Sequence, residues 1–222
     1  MIKTLASLLI IFSVGANDYK SFNQPDPSKL PYFEVGDLNP VWEVKEENKK
    51  RFLKIEDFNL ISNQKENFSS SDFKGKVSVL NFFFATCPGY CPIMTKNIKF
   101  AFEDYKENKK VNFVSLSVTP TKDTITVLNS YADKYKINFS NWHLVRGNRD
   151  TIYQIAREQL QTDLDVDLKK SEDQFVHSES VYLIDENLFV RGIYNGNKKQ
   201  SMLKMAQDMK LIMNEEKTKE NL

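Results

Sequence analysis

The sequence predicts an α/β fold: a central mixed β-sheet flanked by helices, with a β-hairpin near the C-terminus. Three observations carry the prediction. Apolar runs of strand length alternate with stretches of helical spacing from Val77 onward. One of them, Val77 to Phe84, is apolar almost throughout, as a strand covered on both faces must be. Near the end, Ser180 to Ile184 and Leu188 to Ile193 alternate around the turn Asp185-Glu186-Asn187. Alternating strands and helices imply parallel βαβ units, and the terminal hairpin then adds antiparallel strands to the opposite half of the sheet.

Taken in order, residues 1–16 read as a signal peptide or an N-terminal membrane anchor. Lys3 supplies a positive start, Leu5 to Phe12 an apolar stretch, and Val14-Gly15-Ala16 a small-residue cleavage site. That stretch is shorter than the ~20 residues that span a bilayer. No cysteine lies near it to take a lipid. The expected location is outside the cytosol, in a bacterial periplasm or on the periplasmic face of the inner membrane. Residues 17–51 are polar, dotted with Pro25, Pro27, Pro31 and Pro40, and end in a charged run from Lys45 to Arg51. They read as a linker or an arm lying over the domain.

Residues 52–213 form the expected domain. Phe52 to Ile61 is strand-like, and Ser69-Ser70-Ser71-Asp72 with Gly75 reads as a loop before the central strand. Met94, Ile98, Ala101, Phe102 and Tyr105 mark one face of a helix. Val111 to Val118 is the next strand, and Leu128, Tyr131, Ala132 and Tyr135 repeat the helical spacing. A short strand at Trp142 to Val145 precedes a helix with Ile152, Ile155 and Ala156. After the hairpin, Met202, Met205, Ala206, Met209 and Ile212 close the domain with a last helix. Residues 214–222 read as a charged tail.

Composition narrows the function. Hydrophobic residues make up 41% of the chain and include 16 Phe, enough for a core without disulfides. A formal charge of +1 gives no electrostatic case for nucleic acid. The chain has two cysteines, Cys87 and Cys91, where the central strand turns into the first helix. Backbone N–H groups lack partners at such a junction, and the helix dipole favours thiolate. Thiols opening the helix after a central strand make this a thioredoxin-like layout. Three residues intervene, which on a helical path puts the α-carbons ~6 Å apart. Disulfide formation and a shared metal ion are both open to such a pair. Two thiolates suit copper(I), and an added imidazole suits copper(II) or zinc.

Two histidines could supply that imidazole. His177 lies in a polar loop entering the hairpin, beside the thiol-bearing turn in such a sheet. His143 follows Trp142 inside an apolar strand and reads as a packing residue. Met94 and the Met202, Met205, Met209, Met213 series have helical spacing and read as core rather than as a thioether copper site. Asp163, Asp165 and Asp167 resemble a calcium loop only superficially, lacking its Gly and distal Glu.

Thr86-Cys87-Pro88-Gly89-Tyr90-Cys91-Pro92, preceded by Phe82-Phe83-Phe84, resembles the T-C-P-x-x-C-P signature of the SCO/SenC family. His177-Ser178, then Val181 to Asp185 and Arg191 to Gly196, is similar to that family's histidine segment and hairpin. Asp72 to Lys76 is similar to its lead-in to the central strand. The likeness covers about Phe52 to Met213. It implies an exported copper protein that helps assemble the copper centre of cytochrome c oxidase, with Cys87, Cys91 and His177 as ligands for Cu(I)/Cu(II). The implied partner is the oxidase's copper-receiving subunit or another exported copper protein. One segment departs from the family: Thr119 and Lys122 stand where an acid and an arginine are usual, while Asp123 and Thr124 are kept. The same cysteines could instead serve a thiol–disulfide oxidoreductase that reduces a partner's cysteines. A thiol peroxidase fits less well, because no motif ties an arginine to the site.

Overall fold

The computed structural model describes residues 25–64, 67–162 and 178–220. The expected leader, the Asp163–Asp167 stretch and His177 lie outside the described residues. Two short strands, β1 (Tyr32–Phe33) and β2 (Pro40–Val41), pair with each other in the N-terminal region. The main sheet follows, from β3 (Asn59–Ser62), β4 (Asn67–Ser69), β5 (Val77–Phe83), β6 (Val111–Ser117), β7 (Trp142–Arg146), β8 (Ser180–Ile184) and β9 (Val190–Asn195). Its order is β4-β3-β7-β6-β5-β8-β9. The β5, β6 and β7 strands are parallel, joined through α1 (Tyr90–Phe102) and α2 (Ile125–Tyr135). The β8–β9 hairpin pairs antiparallel with β5, on the side away from β6. The thioredoxin-like expectation of a mixed central sheet is met.

All seven residues of β5 are buried because both faces are covered. Val77, Val79 and Phe83 face α1, α2 and the last helix, α4 (Lys199–Glu220). Leu80 and Phe82 face the other way, toward Phe68, Phe73 and the helix α3 (Arg149–Gln154). One strand therefore holds two hydrophobic layers together. Caps set the helix starts: Thr124 accepts from the Val127 N–H, and Asn148 from that of Thr151. No helix among the described residues is long and apolar enough to cross a membrane.

Four features differ from the sequence reading. The stretch before β5 is not a plain loop: Asn67–Ser69 pairs with Asn59–Ile61, and Ser69 and Asp72 form a capping box on the turn that follows. Phe58, Phe68 and Phe73 contact one another edge-on or tilted beneath that hairpin and draw it onto the sheet. The helix α1 stops at Phe102, so Tyr105 is buried from the following turn. After Gln154 the chain continues as a π-helical stretch through Gln159. Finally, α4 runs to Glu220, past the expected boundary at residue 213.

The extension of α4 has a partner in the N-terminal region. Arg191 on β9 is 4% exposed and donates to the Leu30 and Pro31 carbonyls at 2.5 and 3.1 Å. The same guanidinium meets Asp185 and Glu215, both at 3.2 Å, and lies over the Tyr32 ring. A single buried cation thus ties residues 30–32, the hairpin and the end of α4 together.

Candidate metal and thiol centre

The strand β5 delivers the chain to the site and α1 receives it. Cys87 sits in the turn before the helix, not on it, so the helical path assumed for both cysteines holds for Cys91 alone. Gly89 occupies the cap position of α1 without a side-chain cap. The sulfur of Cys87 takes that role. It accepts hydrogen bonds from the backbone of Cys91, Gly89 and Tyr90, and from the Cys91 thiol. Pro92 is harmless in the first turn, where its missing N–H would have had no intrahelical partner.

The two thiols are chemically unequal. Burial pushes the Cys87 thiol up, but the N–H groups at the helix start outweigh it and bring Cys87 below the ordinary thiol value. Burial pushes Cys91 up to about 12, against one hydrogen bond from the Phe84 backbone. The neighbouring charges of Cys87 and Asp123 push it the same way. Both cysteines are free, Cys91 buried and Cys87 partly exposed. Cys87 is thus the more accessible and more readily ionised thiol, and Cys91 holds its proton until something displaces it.

A cavity of about 180 Å³ opens beside both sulfurs. Phe84, Tyr90 and Met94 border it, and so do Ser178 and Glu179 at the entry to β8. Met94 belongs to the core, as its spacing predicts, and also lines this space. Asn197 also lines this cavity, and both polar atoms of its amide are buried with no hydrogen-bond partner among the described residues. No group of three or more His, Cys, Asp or Glu residues placed to hold a metal occurs among the described residues. The other histidine, His143, pairs in register with Val114 on the opposite face of the sheet, against the Phe68 ring. As expected, it packs.

Asp123 gives the loop its footing, a role the sequence reading did not assign. Its fully buried carboxylate accepts from the Ala85 N–H at 3.2 and 3.3 Å, just before the cysteines. The Ser117 and Thr119 hydroxyls donate to it at 2.6 and 3.1 Å. Where the resemblance implies an acid, Thr119 places a hydroxyl that donates to Asp123. The retained Asp123-Thr124 pair was the available signal.

Comparison with known proteins agrees with the geometry. The SCO1/SenC family model matches residues 46–214. A SCO1 protein homolog of Bacillus subtilis (strain 168) is 31% identical over 144 residues, or 64% of this chain and 74% of that protein. A SCO2-like protein of Rickettsia prowazekii (strain Madrid E) is 30% identical over 135 residues, 59% of this chain and 63% of that one. Among solved structures, a SCO1/SenC family lipoprotein from Bacillus anthracis str. Ames superposes with a TM-score of 0.64 at 32% identity. It matches 72% of this chain and 95% of its own. BsSco, a member of the Sco family of cytochrome c oxidase assembly proteins with an identified disulfide switch, gives 0.62 at 29% identity, covering 71% and 92%. Arabidopsis thaliana ScoI, solved with copper bound, shares the fold with a TM-score of 0.56 at 24% identity, covering 70% and 97%. Matched over residues 46–214 by that family's model, the chain belongs to the SCO1/SenC family.

Proposed function

We propose that this protein, exported from the cytosol, carries copper on Cys87, Cys91 and His177 and delivers it to the copper-receiving subunit of cytochrome c oxidase. One observation carries the reading. The wall of the cavity beside the two thiols includes Ser178 and Glu179, the residues that directly follow His177 in the chain. The ligand that the family resemblance implies is therefore the residue bonded directly to that wall, and consecutive α-carbons are ~3.8 Å apart. Copper-bound ScoI of Arabidopsis and the assembly role in the name of BsSco support the choice of metal and recipient. Two thiolates and one imidazole form a soft donor set suited to copper.

Binding replaces the Cys91 proton, so copper uptake releases protons and weakens as pH falls. Transfer then proceeds by ligand exchange, with the accessible Cys87 the first sulfur an incoming ligand meets. The test is His177→Ala, with copper affinity measured on the reduced protein beside its melting temperature. Affinity should fall strongly with melting unchanged. Wild-type affinity in that variant removes His177 from the site.

A second reading keeps the sulfurs and drops the metal. The split between a partly exposed, acidified Cys87 and a buried, protonated Cys91 also suits a thiol–disulfide reductase. The Cys87 thiolate would attack a partner disulfide, expelling one partner thiolate. Cys91, losing its proton, would then close the Cys87–Cys91 bond and release the second. A reduction potential together with metal analysis separates the two: efficient dithiol turnover without copper affinity favours the reductase.

A further inference from the structure

The outer side of α1 carries an apolar strip that runs away from the thiol cavity. Tyr90, Ile93 and Phe100 are 64%, 48% and 52% exposed, and their spacing sets them on one side of the helix. Tyr90 also borders the cavity of Cys87 and Cys91, so the strip starts at the site and extends ~15 Å along the helix. Ile93 and Phe100 line a groove of about 530 Å³ between α1 and the end of α2. Its rim holds Lys96, Lys99, Lys134 and Lys136 against one acid, Glu103. A further lysine, Lys199, stands 4.1 Å from the Phe100 ring centre. The whole chain is nearly neutral, with 31 basic and 30 acidic residues. The lysines around this groove are therefore a local concentration.

We propose that this face docks the protein that receives the metal, and that the recipient presents an acidic rim around an apolar centre. The inference rests on the copper-delivery reading and adds where the recipient sits and what its surface is made of. Ligand exchange requires the recipient's own ligands to reach Cys87, and any protein doing so lies across Tyr90. The apolar strip supplies desolvated contact there, and the lysines steer an acidic partner onto it. A second copy of the chain does not meet this requirement, since a symmetric contact would set lysines against lysines.

The experiment loads each protein from a small-molecule copper(I) complex. It then follows transfer to the purified, reduced, metal-free copper-receiving domain of cytochrome c oxidase. The variants are Lys96→Glu with Lys134→Glu, Phe100→Ser alone, and Lys50→Glu in the N-terminal region as control. Loading should be unchanged in all of them. Transfer at low salt should slow about tenfold in the lysine pair and lose its salt dependence. Phe100→Ser should slow transfer while keeping the salt dependence, and Lys50→Glu should match wild type. Normal loading with wild-type transfer in the lysine and Phe100 variants overturns the docking face alone. Loss of binding to anionic vesicles with transfer intact assigns the face to a membrane, and also overturns it. Failure of the wild type to load copper removes the delivery reading itself.

Discussion

Asp123→Asn takes one negative charge out of a fully buried position while keeping the side chain's size and shape. Three donors converge on the carboxylate: the Ala85 N–H, the Ser117 hydroxyl and the Thr119 hydroxyl. Hydrogen bonds to a charged group stabilise by roughly 1 kcal/mol more than neutral ones, so three downgraded bonds cost about 3 kcal/mol at most. Relief from burying the charge returns part of this, leaving about 1–3 kcal/mol. For a domain of this size that is a fall of roughly 3–10 °C in melting temperature. The same change lowers the Cys91 thiol, because the Asp123 charge is one of the forces holding it up. Thermal melting monitored by circular dichroism reads the first effect, and the pH dependence of Cys91 alkylation reads the second. If melting stays within a degree of wild type and the Cys91 profile does not move, Asp123 does not organise the cysteine loop.

Four further outcomes are expected of the same structure. Alkylation mapped by mass spectrometry should label Cys87 well before Cys91 near neutral pH. Cys91 also makes stability fall as pH rises from about 9 toward about 12, because the folded state keeps a proton that the unfolded chain has lost. Equal labelling, or a flat stability profile in that window, contradicts the assigned environments. Gly196→Ala should destabilise by about 1–3 kcal/mol, since a Cβ there would lie 2.6 Å from Met94 Cγ and 2.8 Å from Val181 Cγ2. Adding Met94→Ala should recover part of that loss in a double-mutant cycle, and no recovery would mean the clash lies elsewhere. Arg191→Leu leaves Asp185 and Glu215 without their buried cation and should cost about 3–5 kcal/mol. Limited proteolysis should then cut first within residues 25–45, and an unchanged cleavage pattern would show that Arg191 does not hold that region.

Much of the architecture was legible because it is written in local periodicity. The nearly continuous apolar run of β5, the helical stripe of α1 and the alternation of the terminal hairpin each follow from what neighbouring residues must bury. The thiol pair at the strand-to-helix junction was readable for the same reason. Asn67–Ser69 was not, because a three-residue polar strand carries no periodicity and forms only against a paired edge and a cluster of distant aromatic rings. Nor could the sequence rank the two sulfurs. Which one is acidified depends on where a helix begins, how deeply each atom is buried, and a carboxylate 38 residues from the loop it anchors. The Arg191 clamp spans 161 positions to Leu30 and was invisible for that reason. Periodicity reports which face of an element meets the core, but pairing between distant elements is set by close packing and electrostatics in three dimensions, and those alone decided which thiol is ready to react.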